Sequence, residues 1–185
     1  MSPRSGAFSP PSENVAGAGG TGYLALMSAA LTPEQQALLD GARKFFADAH
    51  PLFGLLAFEP RKVSRGELEI AATLSEDFRQ LDGAAEVHGG LLTIILDSVM
   101  GFSVFTALDE LKPVATINLR SDYVTLPQVD ENVLCTAVCE TVRDEVAYVN
   151  GEVRSMSGDL YARGAGTFMV GTRGPSLASV AGGAR

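Results

Sequence analysis

Between residues 86 and 102 the chain reads EVHGGLLTIILDSVMGF, and from Gly89 onward Asp97 is the one ionisable side chain in an otherwise apolar run. A carboxylate in a segment apolar enough to bury is costly unless something pairs with it or uses it. If the run is helical, His88-Gly89-Gly90 falls at its amino end, where backbone N–H groups lack partners and the helix dipole is positive. Donors placed there stabilise a developing oxyanion. Two turns on, Asp97 supplies an acid or a base. The same residues admit plainer readings. A glycine pair at a helix start also serves backbone adaptation. His88, one of two histidines with His50, also fits a structural hydrogen-bonding role. Asp97 also fits a buried ion pair or a solvent-facing position.

On a helix over 88–107, Leu91, Ile95, Val99 and Phe102 share a broad face expected to meet a sheet. Gly90, Thr93, Asp97 and Gly101 form a second stripe at steps of three and four. That stripe has little bulk beside the carboxylate, so a substrate or a partner chain can approach closely.

The remaining elements must position this helix. LTPEQQALLDGARKFFADAH predicts an amphipathic helix over 33–49, with Thr32 as N-cap, Pro33 at the first turn, Gln35 completing a capping box and Pro51 as a stop. Residues 53–60 and 66–74 read as strands, and SEDFRQLDGAAEVHGG as a loop. Four strand-like segments follow at 113–125, 131–141, 145–155 and 160–170. Their short connectors imply antiparallel neighbours. Asn150-Gly151 is a hairpin signal, but a turn there would cut a good strand into two pieces too short to stand. The expected architecture is α+β: one antiparallel sheet with the long helix lying across it, wrapped by the sheet and by a second subunit. One domain is expected over 29–172, with loose tails at 1–28 and 173–185.

Composition narrows the function. With 185 residues, 46% hydrophobic and 19% charged, the chain is globular in character. A net charge of −8 argues against nucleic acid, which needs a basic surface. The apolar run is broken by Thr93, Asp97, Ser98 and Ser103, so a core helix is expected rather than a membrane span. The amino-terminal MSPRSGAFSPPSENVAGAGGTG lacks an apolar signal core and reads as a leader. Cys135 and Cys139 lie four residues apart on one strand, about 13 Å, too far to bridge. Reduced thiols and a cytoplasmic address are expected, with no metal set and no cofactor.

VHGGLLTIILDSVMGF resembles the central-helix motif of the hotdog-fold thioesterases, of the phenylacetate-type and human acyl-CoA thioesterase branch. ATINLRSDYVTLP resembles their following strand, and SGDLYARGAGTFMV their closing strands; the resemblance spans roughly 53–170. It implies a hotdog fold and hydrolysis of an acyl-CoA at a dimer interface, with dimers that often pair into tetramers. By motif position, Asp97 activates water or attacks the thioester carbon. The Gly89 N–H polarises the carbonyl, His88 shapes that end of the site, and Thr116 orients water. Gly90 falls within the same motif as a substrate contact.

This chain departs from the pattern twice. Where relatives carry Asn or Gln six residues before the His, it has Asp82, and an anion there opposes an oxyanion unless protonated or turned away. Gln80 or a shifted register would supply the amide instead. YVTLP also has one residue more between aromatic and Pro than is usual. No nucleotide-binding loop is visible. Arg120, ahead of Arg154 and Arg163, is the candidate for CoA phosphates, although ordinary strand-edge charge explains each of them. Phe53 and Leu56 are candidates for the acyl pocket, favouring an aromatic or aliphatic group. Two other readings compete: a non-catalytic hotdog module binding acyl-CoA or a protein partner, and a hotdog dehydratase or hydratase, whose His–acid arrangement is not seen here.

Overall fold

The computed structural model describes residues 33–171 except His50, Leu81 and Asp82. The expected tails, Thr32 and Asp82 lie outside the described residues.

Helix α1 (Pro33–Ala49) forms where the periodicity predicts it, burying Leu39 and Ala42. Of the strand expected over 53–60, only Glu59 and Pro60 are strand. Pro51 opens a short helix, α2 (Pro51–Leu55), closed by the Leu56 N–H donating to the Leu52 carbonyl at 3.0 Å. Short apolar runs carry no decisive period, and proline suits the first helical position. The first strand starts later, β1 (Glu59–Ser64), followed by β2 (Glu67–Thr73). β1 lies at a sheet edge, where Pro60 costs no central ladder bond, and its pairing is irregular between Pro60 and Lys62.

After a 3-10 turn at Glu76–Phe78 comes the long helix α3 (Gly90–Ala107), then β3 (Val114–Tyr123), β4 (Asn132–Arg143), β5 (Val146–Ser155) and β6 (Leu160–Val170). Asp144 and Glu145 turn β4 into β5, both with positive φ (50° and 64°), the backbone of a tight two-residue hairpin. All pairings are antiparallel, in the order β1-β2-β4-β5-β6-β3. β5 runs unbroken through Asn150-Gly151.

The helix packs against β2, β3, β4, β5 and β6, so the sheet wraps it. By length and composition α3 could cross a membrane, yet Leu91, Leu92, Ile95, Leu96, Val99, Met100 and Val104 are buried in the core. The sheet-facing surface is therefore broader than the predicted stripe, and Phe102 is only half-buried. Glycines make the close approach possible. A Cβ at Gly151 would sit 3.0 Å from Met100 Cγ, and one at Gly164 would sit 2.9 Å from Met100 Sδ. Asn150-Gly151 thus marks a contact between strand and helix rather than a turn.

Candidate active site

Asp97 projects from the middle of α3, half-buried, and its Oδ1 accepts a hydrogen bond from Thr116 Oγ1 at 2.7 Å. Thr116 stands on β3, just before an irregularity in its pairing with β6, between Thr116 and Asn118. Among the described residues this is the one pair of proposed catalytic side chains that the fold joins directly. The carboxylate is not fully buried, and it has no basic partner among the described residues. It faces a cleft of about 190 Å³.

Four phenylalanines give the cleft its character: Phe53 from α2, Phe102 and Phe105 from α3, and Phe168 from β6. The rings of Phe102 and Phe105 meet edge to face, with centroids 6.2 Å apart. Ser98, Gly101 and Val114 complete the wall. Phe53, expected at an acyl pocket together with Leu56, lines this cleft. Leu56 is fully buried in the core and does not line the cleft.

The helix start is organised by backbone geometry. His88 is exposed; its N–H donates to the Phe78 carbonyl at 2.9 Å, and its Nδ1 accepts from the Gly90 N–H at 3.1 Å. The histidine therefore acts as a cap for Gly90, whose N–H is taken. The Gly89 N–H has no hydrogen-bond partner among the described residues. Above it lie Leu126 and Tyr123, 3.4 and 3.8 Å from where a Gly89 Cβ would stand. The Tyr123 hydroxyl bonds Thr93 Oγ1, which also donates to Ser121 Oγ at 3.2 Å.

Gly89 and Asp97 are eight residues apart, hence about 12 Å along one helix axis. A carbonyl held at about 2.9 Å by an N–H, with an attacking oxygen about 3–3.5 Å from its carbon, spans only about 7 Å. The two groups of one chain do not meet on one thioester attacked directly by Asp97.

Arg120 does not join the site within one chain. The irregularity between Thr116 and Asn118 resets the alternation along β3, so Arg120 pairs in register with exposed Ala165, on the face opposite Thr116 and the helix. Its guanidinium is occupied by Asp122, at 3.0 and 3.1 Å. Gln80 is half-buried, and its N–H donates to the Glu86 carbonyl. The thiols of Cys135 and Cys139 are free, and burial pushes both up from their ordinary values.

Sequence reasoning missed Phe102, Phe105, Val114 and Phe168 as site residues. Phe102 and Phe105 carry a signal, five and eight residues beyond Asp97 on the same helix. Phe168 carries none, because it reaches Asp97 only through the register that sets it beside Thr116.

An antiparallel sheet wrapped around one long helix, with a carboxylate on that helix, defines the hotdog fold. Residues 86–162 match the family model of the thioesterase superfamily. That segment holds α3, β3, β4, β5 and the start of β6. The chain is 26% identical to a putative thioesterase, a phenylacetic acid degradation-related protein from Ralstonia eutropha JMP134, with a TM-score of 0.60 over 69% of this chain and 98% of that one. A thioesterase family protein from Silicibacter pomeroyi matches at 18% identity and a TM-score of 0.62, over 69% of this chain and 93% of the other. A Streptococcus mutans UA159 protein bound to acetyl CoA matches at 15% identity and a TM-score of 0.56, over 63% and 91%. The last two likenesses concern the fold. No curated protein matches the sequence.

Proposed function

We propose that the protein hydrolyses an acyl-CoA thioester at a site shared by two copies of the chain. The observation that carries the reading is Asp97, held by Thr116 at 2.7 Å at the edge of a phenylalanine-lined cleft. The thioesterase-superfamily match and the acetyl-CoA-bound neighbour support CoA as the carrier.

Asp97 acts as general base on a water or as nucleophile toward the thioester carbon. The carbonyl oxygen takes the Gly89 N–H as the tetrahedral charge develops. The carbon–sulfur bond then breaks, and CoA leaves as thiolate and takes up a proton. In the general-base route the attacking water has already become part of the carboxylic acid that leaves as carboxylate; in the nucleophilic route the acyl group stays on Asp97 as a mixed anhydride, which a water molecule hydrolyses to the free carboxylate and Asp97. Thr116 keeps Asp97 oriented. His88 acts by capping Gly90, so that the N–H of Gly89 is the donor left over.

The 12 Å between Gly89 and Asp97 argues for a second copy. β3 is an edge of the sheet, bonded on one side to β6, while the other edge, β1, packs against α1; open edges invite pairing. An antiparallel β3–β3 pairing about a two-fold axis reverses helix direction. With that axis near Thr93, midway between the two groups, the partner subunit's Gly89 comes opposite Asp97. Such dimers are expected to pair further into tetramers. A cytoplasmic location is part of the proposal, supported by the two free thiols.

The test is thiol release from a panel of aromatic and aliphatic acyl-CoAs, with wild type and Asp97→Asn side by side. The expected loss is a hundredfold or more, about 2.7 kcal/mol of transition-state stabilisation. No turnover of any panel member by folded wild type would sink the enzyme reading. It would leave the binding module, which Asp82 in place of an amide favours.

A further inference from the structure

We infer that Tyr123 is a positioning residue: tied to α3 through Thr93, it holds a wall beside Gly89 that keeps water from the Gly89 N–H and so reserves that donor for the thioester carbonyl; this rests on the thioesterase reading. α3 carries four hydroxyl side chains. Ser98 Oγ donates to the Ile94 carbonyl at 2.8 Å, Ser103 Oγ to the Met100 carbonyl at 2.7 Å and Thr106 Oγ1 to the Ser103 carbonyl at 2.8 Å. Bonding back to the preceding turn is the usual outlet for such a hydroxyl in a helix. Thr93 departs from it. Its Oγ1 donates to Ser121 Oγ on β3 at 3.2 Å and, with that proton spent, accepts from the Tyr123 hydroxyl. Thr93 stands one helical turn beyond Gly89. The chain Tyr123–Thr93–Ser121 therefore fastens the end of β3 to the first turns of α3.

That fastening fixes the ring. Tyr123 is 49% exposed, so packing alone does not hold it. Its Cε1 and Cζ lie 3.8 and 3.9 Å from where a Gly89 Cβ would stand, beside Leu126 Cδ2 at 3.4 Å. The backbone behind the two side chains is anchored on both sides. The Val124 N–H donates to the Tyr161 carbonyl of β6 at 2.8 Å, and the Val87 N–H donates to the Pro127 carbonyl at 3.0 Å. The wall is thus joined to the sheet and to the residues that lead into Gly89. An N–H open to water spends its dipole on solvent, whereas one kept dry beside apolar groups gives more to a charge that develops next to it. A ring free to swing out would admit water at that point. The loss would fall on the charged transition state more than on the neutral bound thioester, hence on kcat rather than KM.

The experiment is a double-mutant cycle in the full-length protein, with kcat and KM measured on the acyl-CoA that wild type turns over best. Tyr123→Phe keeps the ring and removes the bond; it is expected to lower kcat about tenfold, with KM within about twofold. Thr93→Val should do the same, and Thr93→Ser should restore kcat. Because both changes break one link, the double variant should lose no more than about tenfold. Losses that multiply to about a hundredfold, an unchanged kcat in Tyr123→Phe, or a loss carried by KM alone overturns the positioning role and leaves the thioesterase reading standing. If wild type hydrolyses nothing, that reading fails, and amide hydrogen exchange at Gly89, followed by NMR, decides the wall separately. The wild-type Gly89 N–H should exchange at least about tenfold more slowly than in an unstructured peptide, and Tyr123→Ala should remove that protection while the amides of β4 and β5 keep theirs. Equal Gly89 exchange in wild type and Tyr123→Ala overturns it.

Discussion

Complementation between two inactive variants tests the shared site most directly. Asp97→Asn removes the base and keeps its shape. Gly89→Pro removes the one N–H of interest, and the φ of −55° at Gly89 already suits proline. Each variant alone is expected to lose about a hundredfold or more, the scale for one oxyanion donor or one catalytic carboxylate. In a mixed dimer with the site built in trans, one site carries both lesions and the other carries neither. Random assembly from equal amounts makes half the dimers mixed, so about a quarter of wild-type activity returns in the mixture and about half in purified mixed dimers, given two equivalent sites per two-fold dimer. A site built within one chain would leave every site with a lesion and recover nothing. Co-expression with two affinity tags, followed by thiol-release assay of the doubly purified species, reads the difference. Purified mixed dimers with activity no higher than the parents would refute the geometric argument from the 12 Å separation.

Thr116→Val removes the hydrogen bond to Asp97 Oδ1, and is expected to lower kcat about tenfold with little change in KM, within the range of a hydrogen bond to a charged group; Thr116→Ser should restore most of it. Tyr161, 9% exposed, donates to Glu131 Oε1, and burial and then that carboxylate push its phenol up to about 12. Because the folded value lies above the ordinary value of 10.0, the stabilisation is full below pH 10 and is lost as pH rises through about 12. Tyr161→Phe should therefore cost about 1–3 kcal/mol at neutral pH in denaturant melts, and less above pH 12. Gly166→Ala would put a Cβ 3.1 Å from the Asn118 carbonyl and from Phe168; overpacking of about 1–3 kcal/mol is expected, seen as a lowered melting temperature.

Local pattern made much of this fold readable. The period of Leu38, Leu39 and Ala42 announced α1, and the length of the run after His88 announced α3. Short connectors after it forced antiparallel strands, and β5 was kept whole against its own turn dipeptide. The failure at 53–58 has a local cause: Leu52, Phe53, Leu55 and Leu56 satisfy either period, and the fold closed them into a helical turn ahead of β1.

The sequence by itself determined the chemical groups and their order: a glycine pair at a helix start, a carboxylate two turns on, and a threonine on the next strand. The glycine pair and the carboxylate follow from spacing along one element, where rise and rotation per residue are fixed; the threonine follows only from the resemblance of its strand. The tertiary structure alone decided that Thr116 reaches Asp97, that Arg120 faces away, that Leu56 is core, and that Phe168 lines the cleft. Each of those depends on strand register or on the facing of one element against another. A shift of one residue in β3 or β6 would turn Thr116, Arg120 and Phe168 to their opposite faces, and no short-range pattern encodes it.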